Sequence, residues 1–390
     1  MRKMASRVRV PSVVAIGIMA VTMGAAACSS SGSGSGSDAS AGPSAATQQS
    51  SQCAQTAKAA VQPYEAAPKY QVPAQTINVK PLKGKTIWFI SPDQSLSYPL
   101  SESQGIQAAG TAAGLHVKIF DGKSQPALFN QGLATAVAQH ASGIILNSTD
   151  PSLVAGPLAA AKKAGIPVVD AYVGSNPPAT ADSPDVFANV TNDFEQTGQI
   201  MADYLLSATN CKANVVLFTT SVYPSLQQMS TGISTELSKA CPGCSLHSIT
   251  FDPTTIATTV GPLVSNTVRR YPDTNYLIAG FDSLVPYAIP SLQQAGNHSP
   301  ILSEAGDEAT YDRIRAGSQA ADASLPYGPY AGWLQVDELL RGMVGAKPVD
   351  DDEPTNIFTK ANIGASNSLQ VLYPGLVGYQ NAFLKDWGLG

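Results

Sequence analysis

Gly143-Ile144-Ile145-Leu146-Asn147, a helical stretch over residues 152–164 closed by Gly165, and then Ile166-Pro167-Val168-Val169-Asp170 make up the unit whose reading decides the fold. Both apolar runs are about five residues long, rich in β-branched side chains and continuous rather than alternating. That pattern fits a strand buried on both faces, as in a parallel sheet covered by helices. The stretch between them is Ala-rich with helical period, and Gly165 supplies a stop signal. Strand, helix and strand in this order predict a βαβ unit.

The unit repeats in both directions. Upstream lie Thr86-Ile87-Trp88-Phe89-Ile90, a helix over 101–113, His116-Val117-Lys118-Ile119-Phe120 and a helix over 126–139. Downstream the rhythm restarts after Val186-Phe187-Ala188-Asn189-Val190. Helices are predicted over 193–207, 226–240, 254–270 and 285–295, with strands at 214–218, 245–251, 276–281, 301–305 and 320–325. The fold class is therefore α/β, with two Rossmann-like lobes built on parallel sheets.

The chain has 390 residues, 44% apolar and 13% charged, with net charge −5. That balance excludes a disordered chain, and the acid excess argues against a nucleic-acid partner, which needs a basic stripe. Two lobes leave a surplus at the N-terminus. Arg2, Lys3, Arg7 and Arg9 precede an apolar stretch from 13 to 27 that ends in Ala25-Ala26-Ala27-Cys28. This resembles a bacterial lipobox, with Ala25 where Leu is usual, and predicts a lipoprotein signal peptide over 1–27 with lipidation at Cys28. The alternative is ordinary signal cleavage with Cys28 incidental. Residues 28–52, mostly Ser, Gly, Ala, Gln and Thr, read as a tether spanning about 25–30 Å, and 53–84 as an N-terminal arm. The expected location is extracytoplasmic, lipid-anchored to the cell membrane of a bacterium. Residues 1–27 carry four basic and no acidic residues, so the net charge without them is −9.

Outside the cytoplasm, Cys53, Cys211, Cys241 and Cys244 predict two disulfides in one of three pairings. A bridge from Cys211 to Cys241 or Cys244 is expected, because these cysteines bracket one strand-helix unit. Cys241-Pro-Gly-Cys244 sits at a helix end rather than a helix start, which argues against a redox site. His116, His140, His247 and His298 are scattered, and neither a metal site nor a cofactor is expected.

Ligands of open parallel sheets bind beyond the carboxyl ends of the strands. The residues there are Asp93 and Tyr98; Asn147, Ser148 and Asp150; Asp170 and Tyr172; Asn192 and Asp193; Tyr223; Asp282; Glu304 and Asp307. Carboxylates, amides and rings in this number suit a polyhydroxylated ligand, because carboxylates pair with hydroxyls and ring faces cover sugar C–H faces. The ligand-binding candidates are Asp93, Tyr98, Asn147, Asp150, Asp170, Asp193, Tyr223, Asp282, Glu304 and Asp307. The competing reading of each Asp or Asn is helix capping.

The ordered segments Ala141–Asn147, Ala160–Asp170, Asn192–Gly198, Tyr271–Asp282 and Arg313–Gly317 resemble the type I periplasmic binding proteins, in particular the ribose-binding-like sugar lipoproteins of ABC importers. The resemblance covers residues 85 to 365. It implies two lobes, 85–188 plus about 307–345 and 189–306 plus about 350–390, with three hinge crossings near 187–192, 304–310 and 345–360. By position Tyr98, Asp170, Asp193 and Asp282 correspond to family binding positions. The family's sugar-gripping Arg has no clear counterpart, and Gln227 and Gln228 occupy that region. The implied role is a monomeric solute-binding protein delivering a sugar or polyol to an ABC permease. A receptor of the same fold that reports to a signalling partner is the alternative.

No G-x-S-x-G, P-loop or strand-linked G-x-G-x-x-G marks an enzyme, and none is expected. Trp88 and Trp333 read as core, and Tyr327 as able to reach the cleft. Asp350-Asp351-Asp352-Glu353 reads as a solvated turn, with a calcium site as the sharper alternative.

Overall fold

Among the described residues, eleven strands form two sheets. The computed structural model describes residues 45–67, 70, 75–173, 184–349 and 353–390, so Cys28, the signal segment and Asp350 to Asp352 lie outside it. The first sheet runs β2-β1-β3-β4-β5, with β1 Thr86–Ser91, β2 His116–Asp121, β3 Gly143–Asn147, β4 Val168–Ala171 and β5 Ala188–Val190. Every neighbour pair in it is parallel. The second runs β11-β10-β9-β8-β6-β7, with β6 Asn214–Thr219, β7 Ser245–Thr250, β8 Tyr276–Ile278, β9 Ile301–Ala305, β10 Ala321–Ser324 and β11 Asn356–Thr359. Only β11 is antiparallel to its neighbour. Ile144, Ile145 and Leu146 are wholly buried, as the continuous apolar run requires.

The helices are α1 Ala45–Val61, α2 Ser97–Ala112, α3 Pro126–Ala138, α4 Ala155–Lys163, α5 Phe194–Ala208, α6 Pro224–Ala240, α7 Ile256–Arg270, α8 Val285–Gln294, α9 Glu308–Ala316, α10 Gly328–Val344, α11 Leu369–Leu372 and α12 Tyr379–Asp386. In each lobe one helix pair is drawn together by facing glycines. A Cβ on Gly198 of α5 would lie 2.1 Å from Met229 O, and one on Gly232 of α6 would lie 2.0 Å from Glu195 O. Gly105 of α2 and Gly332 of α10 meet in the same way, 2.3 Å from Pro329 O and 2.5 Å from Glu102 O. Only glycine permits such close backbone approach.

Three expectations are corrected. The stretch 307–345 does not return whole to the first lobe: β10 is a strand of the second sheet, and α9 packs on β11. The crossing therefore comes after β10, at Leu325 to Tyr327, rather than at 304–310, and α10 alone packs against α2, β3, β4 and β5. The C-terminus does not stay with the second lobe either, because Trp387 stacks on Trp333 of α10 with ring centroids 5.2 Å apart. Nor is 45–52 tether. It opens α1, whose six alanines in 17 residues favour a helix, and α1 buries Ala54, Ala57 and Val61 while packing on α5.

The disulfides are Cys53–Cys211 and Cys241–Cys244, so no bridge links Cys211 to the CxxC pair. Docking of α1 on α5 brings Cys53 to the end of α5, a long-range contact that no local spacing encodes. Cys241 caps the C-terminal end of α6, as expected. Replacing Cys53 and Cys211 together by Ser is expected to lower stability by about 2–4 kcal/mol, since the bridge closes a long loop in the unfolded chain. Urea unfolding of the two proteins checks this, and equal midpoints would show that α1 holds without the bond.

The arm continues beyond α1 to the first lobe. Ile77 N–H donates to Asp386 O and Val79 N–H to Trp387 O, tying 77–79 to the end of α12. Beneath them, Arg341 of α10 donates to Asp337 at 2.8 Å and to Gln75 O at 3.1 Å, while Trp387 Nε1 donates to Asp337 at 2.6 Å. These side chains are essentially inaccessible to water.

Candidate functional site

The strand ends of the two sheets face each other across a cavity. From the first lobe come Tyr98 and Glu102 of α2, Asn147 and Ser148 after β3, and Tyr172 after β4. From the second come Phe194, Tyr223, Phe281, Asp282, Glu304 and Ala305, with Leu325 at the crossing.

Three non-glycine residues at the rim take left-handed or otherwise positive φ: Ser148 at 49°, Tyr172 at 59° and Ala305 at 122°. Such angles cost of order 1–3 kcal/mol each and persist where surrounding structure dictates them. Here the strand ladder dictates them. Ser148 N–H still reaches Ala171 O at 2.8 Å and Tyr172 N–H reaches Val190 O at 3.1 Å. Gly306 follows Ala305 with φ of 86°, and a Cβ there would lie 2.6 Å from Tyr311 Oη.

The polar floor consists of buried acids held by neutral donors. Glu102 accepts from Asn147 Nδ2 at 3.2 Å and from Gln335 Nε2 at 2.8 Å. Burial pushes its carboxyl up to about 8, against the pull of those donors and Tyr172. Asp282 accepts from Ser303 Oγ and from the N–H groups of Gly306 and Asp307 at 2.9 and 2.8 Å. Burial, then the negative charges of Asp322 and Asp307, raise it well above the usual range. Glu304 is raised too, by burial first and then by Asp322 and Glu102. No Lys, Arg or His is among the residues lining the cavity.

The mouth is bridged by side chains. Ser97 Oγ of the first lobe donates to Asp307 Oδ2 at 2.7 Å. Ser124 Oγ lies 2.6 Å from Tyr223 Oη and 2.6 Å from Asp93 Oδ2, so a chain of hydrogen bonds runs from Asp93 across the cleft. Tyr98 Oη sits 3.1 Å from Tyr172 Oη and donates to Pro326 O at 2.8 Å, tying the floor to the crossing. The Ser97 and Ser124 bonds link side chains of the two lobes across the mouth.

Of the ten candidates, Tyr98, Asn147, Tyr223, Asp282 and Glu304 are brought together at the cavity. The other five do not line it. Asp150 accepts from Ser152 N–H and caps the turn before α4, and Asp193 caps α5 through Gln196 N–H. Asp307 caps α9 through Thr310 N–H and doubles as the acceptor for Ser97. Asp93 receives Ser95 and Ser124. Asp170 is wholly buried, and burial raises its carboxyl well above the ordinary range. Short acids beside a helix start satisfy its free N–H groups first. Tyr327 stays outside the cavity with its ring beside Tyr373, whereas Trp88 and Trp333 are core as expected. Gln227 turns back to Thr220 O and grips nothing in the cleft.

Glu102, which lines the cavity, and Gln335, which donates to it, are missed by strand-end reasoning because both sit inside helices. A signal for Glu102 was present: it is the sole charged side chain of α2.

A profile of the periplasmic binding protein domain matches residues 87–340. Among solved structures, an ABC sugar transporter subunit from Rhodobacter sphaeroides superposes with TM-score 0.63 at 21% identity, covering 72% of this chain and 100% of that one. An ABC transporter solute-binding protein from Agrobacterium vitis, bound with α-D-tagatopyranose, gives 0.65 at 17% identity, covering 74% and 99%. A LacI-type transcriptional regulator from Bacteroides fragilis, whose own assignment is provisional, gives 0.62 at 18%, covering 72% and 99%. No curated protein matches. At these identities the structures share the type I fold, which serves both transport and regulation.

Proposed function

The chain belongs to the periplasmic binding protein family, and from that premise we propose that it is the solute-binding component of an ABC importer, taking a monosaccharide or related polyol between its lobes. The observation that carries this reading is the cavity between the lobes, where Tyr98, Tyr172, Phe194, Tyr223 and Phe281 stand beside Asn147, Glu102, Asp282 and Glu304. Rings cover the apolar faces of a sugar while paired oxygens and amides meet its hydroxyls.

The mechanism follows from the crossings. The chain passes between lobes after β5, after β10 and between α10 and β11, with further passages between α1 and Ile77 and between β11 and α12, so the lobes open by rotation about these segments. With the ligand seated, Ser97–Asp307 and Ser124–Tyr223 re-form, water leaves and each hydrogen bond to the ligand strengthens. The closed pair of lobes then offers one surface to a permease. In this reading Cys28 carries the lipid that keeps the protein at the outer face of the membrane. No helix among the described residues is long and apolar enough to cross a membrane.

Thermal unfolding of the full chain against sugars, polyols and nucleosides tests the assignment. A bound sugar at about one hundred times its Kd should add about 2.7 kcal/mol. A shift with nucleosides or amino acids and none with any sugar or polyol would overturn the ligand class.

A further inference from the structure

The three acids at the cavity differ in how the chain satisfies them. Asp282 has its oxygens filled by Ser303, Gly306 and Asp307, and Glu102 by Asn147 and Gln335. Glu304, only 5% exposed, lines the cavity from the end of β9, and no described residue donates to it. Its carboxyl opens onto the cavity and takes its partner from there. That partner is not a side-chain cation of this chain, since no Lys, Arg or His lines the cavity. Among the described residues no three His, Cys, Asp or Glu side chains converge as a metal cage. A donor carried by the ligand remains, a hydroxyl or an ammonium.

Resting on the polyol reading above, we propose that the ligand carries a protonated amine, as in an amino sugar or amino polyol, and that Glu304 receives its ammonium group. The surroundings suit that group twice over. Burial raises Glu102 and Asp282 in the empty cavity, and a positive charge seated between them would lower both, so acids from opposite lobes can ionise against it. The rings of Tyr98, Tyr172, Tyr223 and Phe281 line the same cavity, and π faces attract ammonium more strongly than they attract a hydroxyl. A neutral sugar could donate a hydroxyl to Glu304 but brings no charge against which the buried acids could ionise. An ammonium does both, through charge-assisted hydrogen bonds that are shorter and stronger than neutral ones.

Calorimetric titration of the full chain with matched pairs at pH 7 tests this: glucosamine against glucose, galactosamine against galactose, and glucamine against sorbitol. At least one amine is expected to bind ten or more times tighter than its neutral counterpart. N-acetylation, which keeps the nitrogen and removes its charge, should erase that advantage, and Glu304→Gln should erase it as well. A neutral member that binds as tightly as or tighter than its amine in every pair overturns the proposal and leaves the polyol reading in place. An amine preference that survives both acetylation and Glu304→Gln also overturns it. If no member of any pair binds, the proposal and the polyol reading fall together.

Discussion

Arg341→Ala is expected to destabilise the protein by about 3–5 kcal/mol, the loss seen when one partner of a buried ion pair is removed. The guanidinium lies in the last turn of α10 with 1% of its side chain exposed, 2.8 Å from Asp337 and 3.8 Å from Glu338, both inaccessible. Burial raises both acids, Glu338 to about 8, and Arg341 pulls them back. Without it, each must take up a proton or remain an uncompensated buried charge. The variant also loses the bond to Gln75 O, one of the ties that fasten the arm to the first lobe. A second consequence separates this network from ordinary packing. Arg341→Met, which keeps the volume but not the charge, should recover part of the loss if the side chain matters mainly as filler. Urea unfolding at pH 7 decides the point, and a loss below about 1 kcal/mol in Arg341→Ala would show the acids to be already neutral.

The βαβ rhythm was legible because a strand buried on both faces has little freedom in composition. Gly143 to Asn147 and Ile301 to Ala305 were placed to the residue, since their partners come from the same sheet. What escaped depended on contacts remote in sequence. The helix over Ala45–Val61 looks like spacer until α5 and Cys211 receive it, and β11 is too polar and short to announce itself. The site was half legible for a similar reason. Strand ends locate candidates, but an Asp beside a helix start caps that helix whether or not a ligand lies near, so Asp150 and Asp193 were indistinguishable by pattern from Asp282. Asp282 differs through Ser303 Oγ and the N–H groups of Gly306 and Asp307, all brought to it by the next strand and its end. Glu102 and Gln335 meet across the two helices that Gly105 and Gly332 draw together, so their pairing is a property of packing.

Glu102→Gln is expected to make the unliganded protein more stable at alkaline pH, by about 2–4 kcal/mol at pH 8.5, with the gain fading towards pH 5. The sign follows from linkage. The folded state holds the Glu102 proton up to about pH 8, whereas the unfolded chain releases it near 4.5. Between those values the folded state binds the extra proton, so stability falls as pH rises through the window and levels off above it. Every tenfold difference in proton affinity between the folded and unfolded chain is worth about 1.4 kcal/mol. The variant recovers only part of that penalty, because its amide fits Asn147 and Gln335 less well than the carboxyl does. A glutamine has no proton to lose and escapes the pH-dependent cost altogether. Other buried acids contribute their own slopes, but these are common to both proteins, and the difference between the two melting curves at pH 5 and pH 8.5 isolates Glu102. Identical pH dependence in the two proteins would remove Glu102 from the set of strained acids. The same variant should bind a ligand less well, since the charge that destabilises the empty cavity is what an occupant relieves. Stability gained and affinity lost in one substitution is the trade expected of a residue retained for binding.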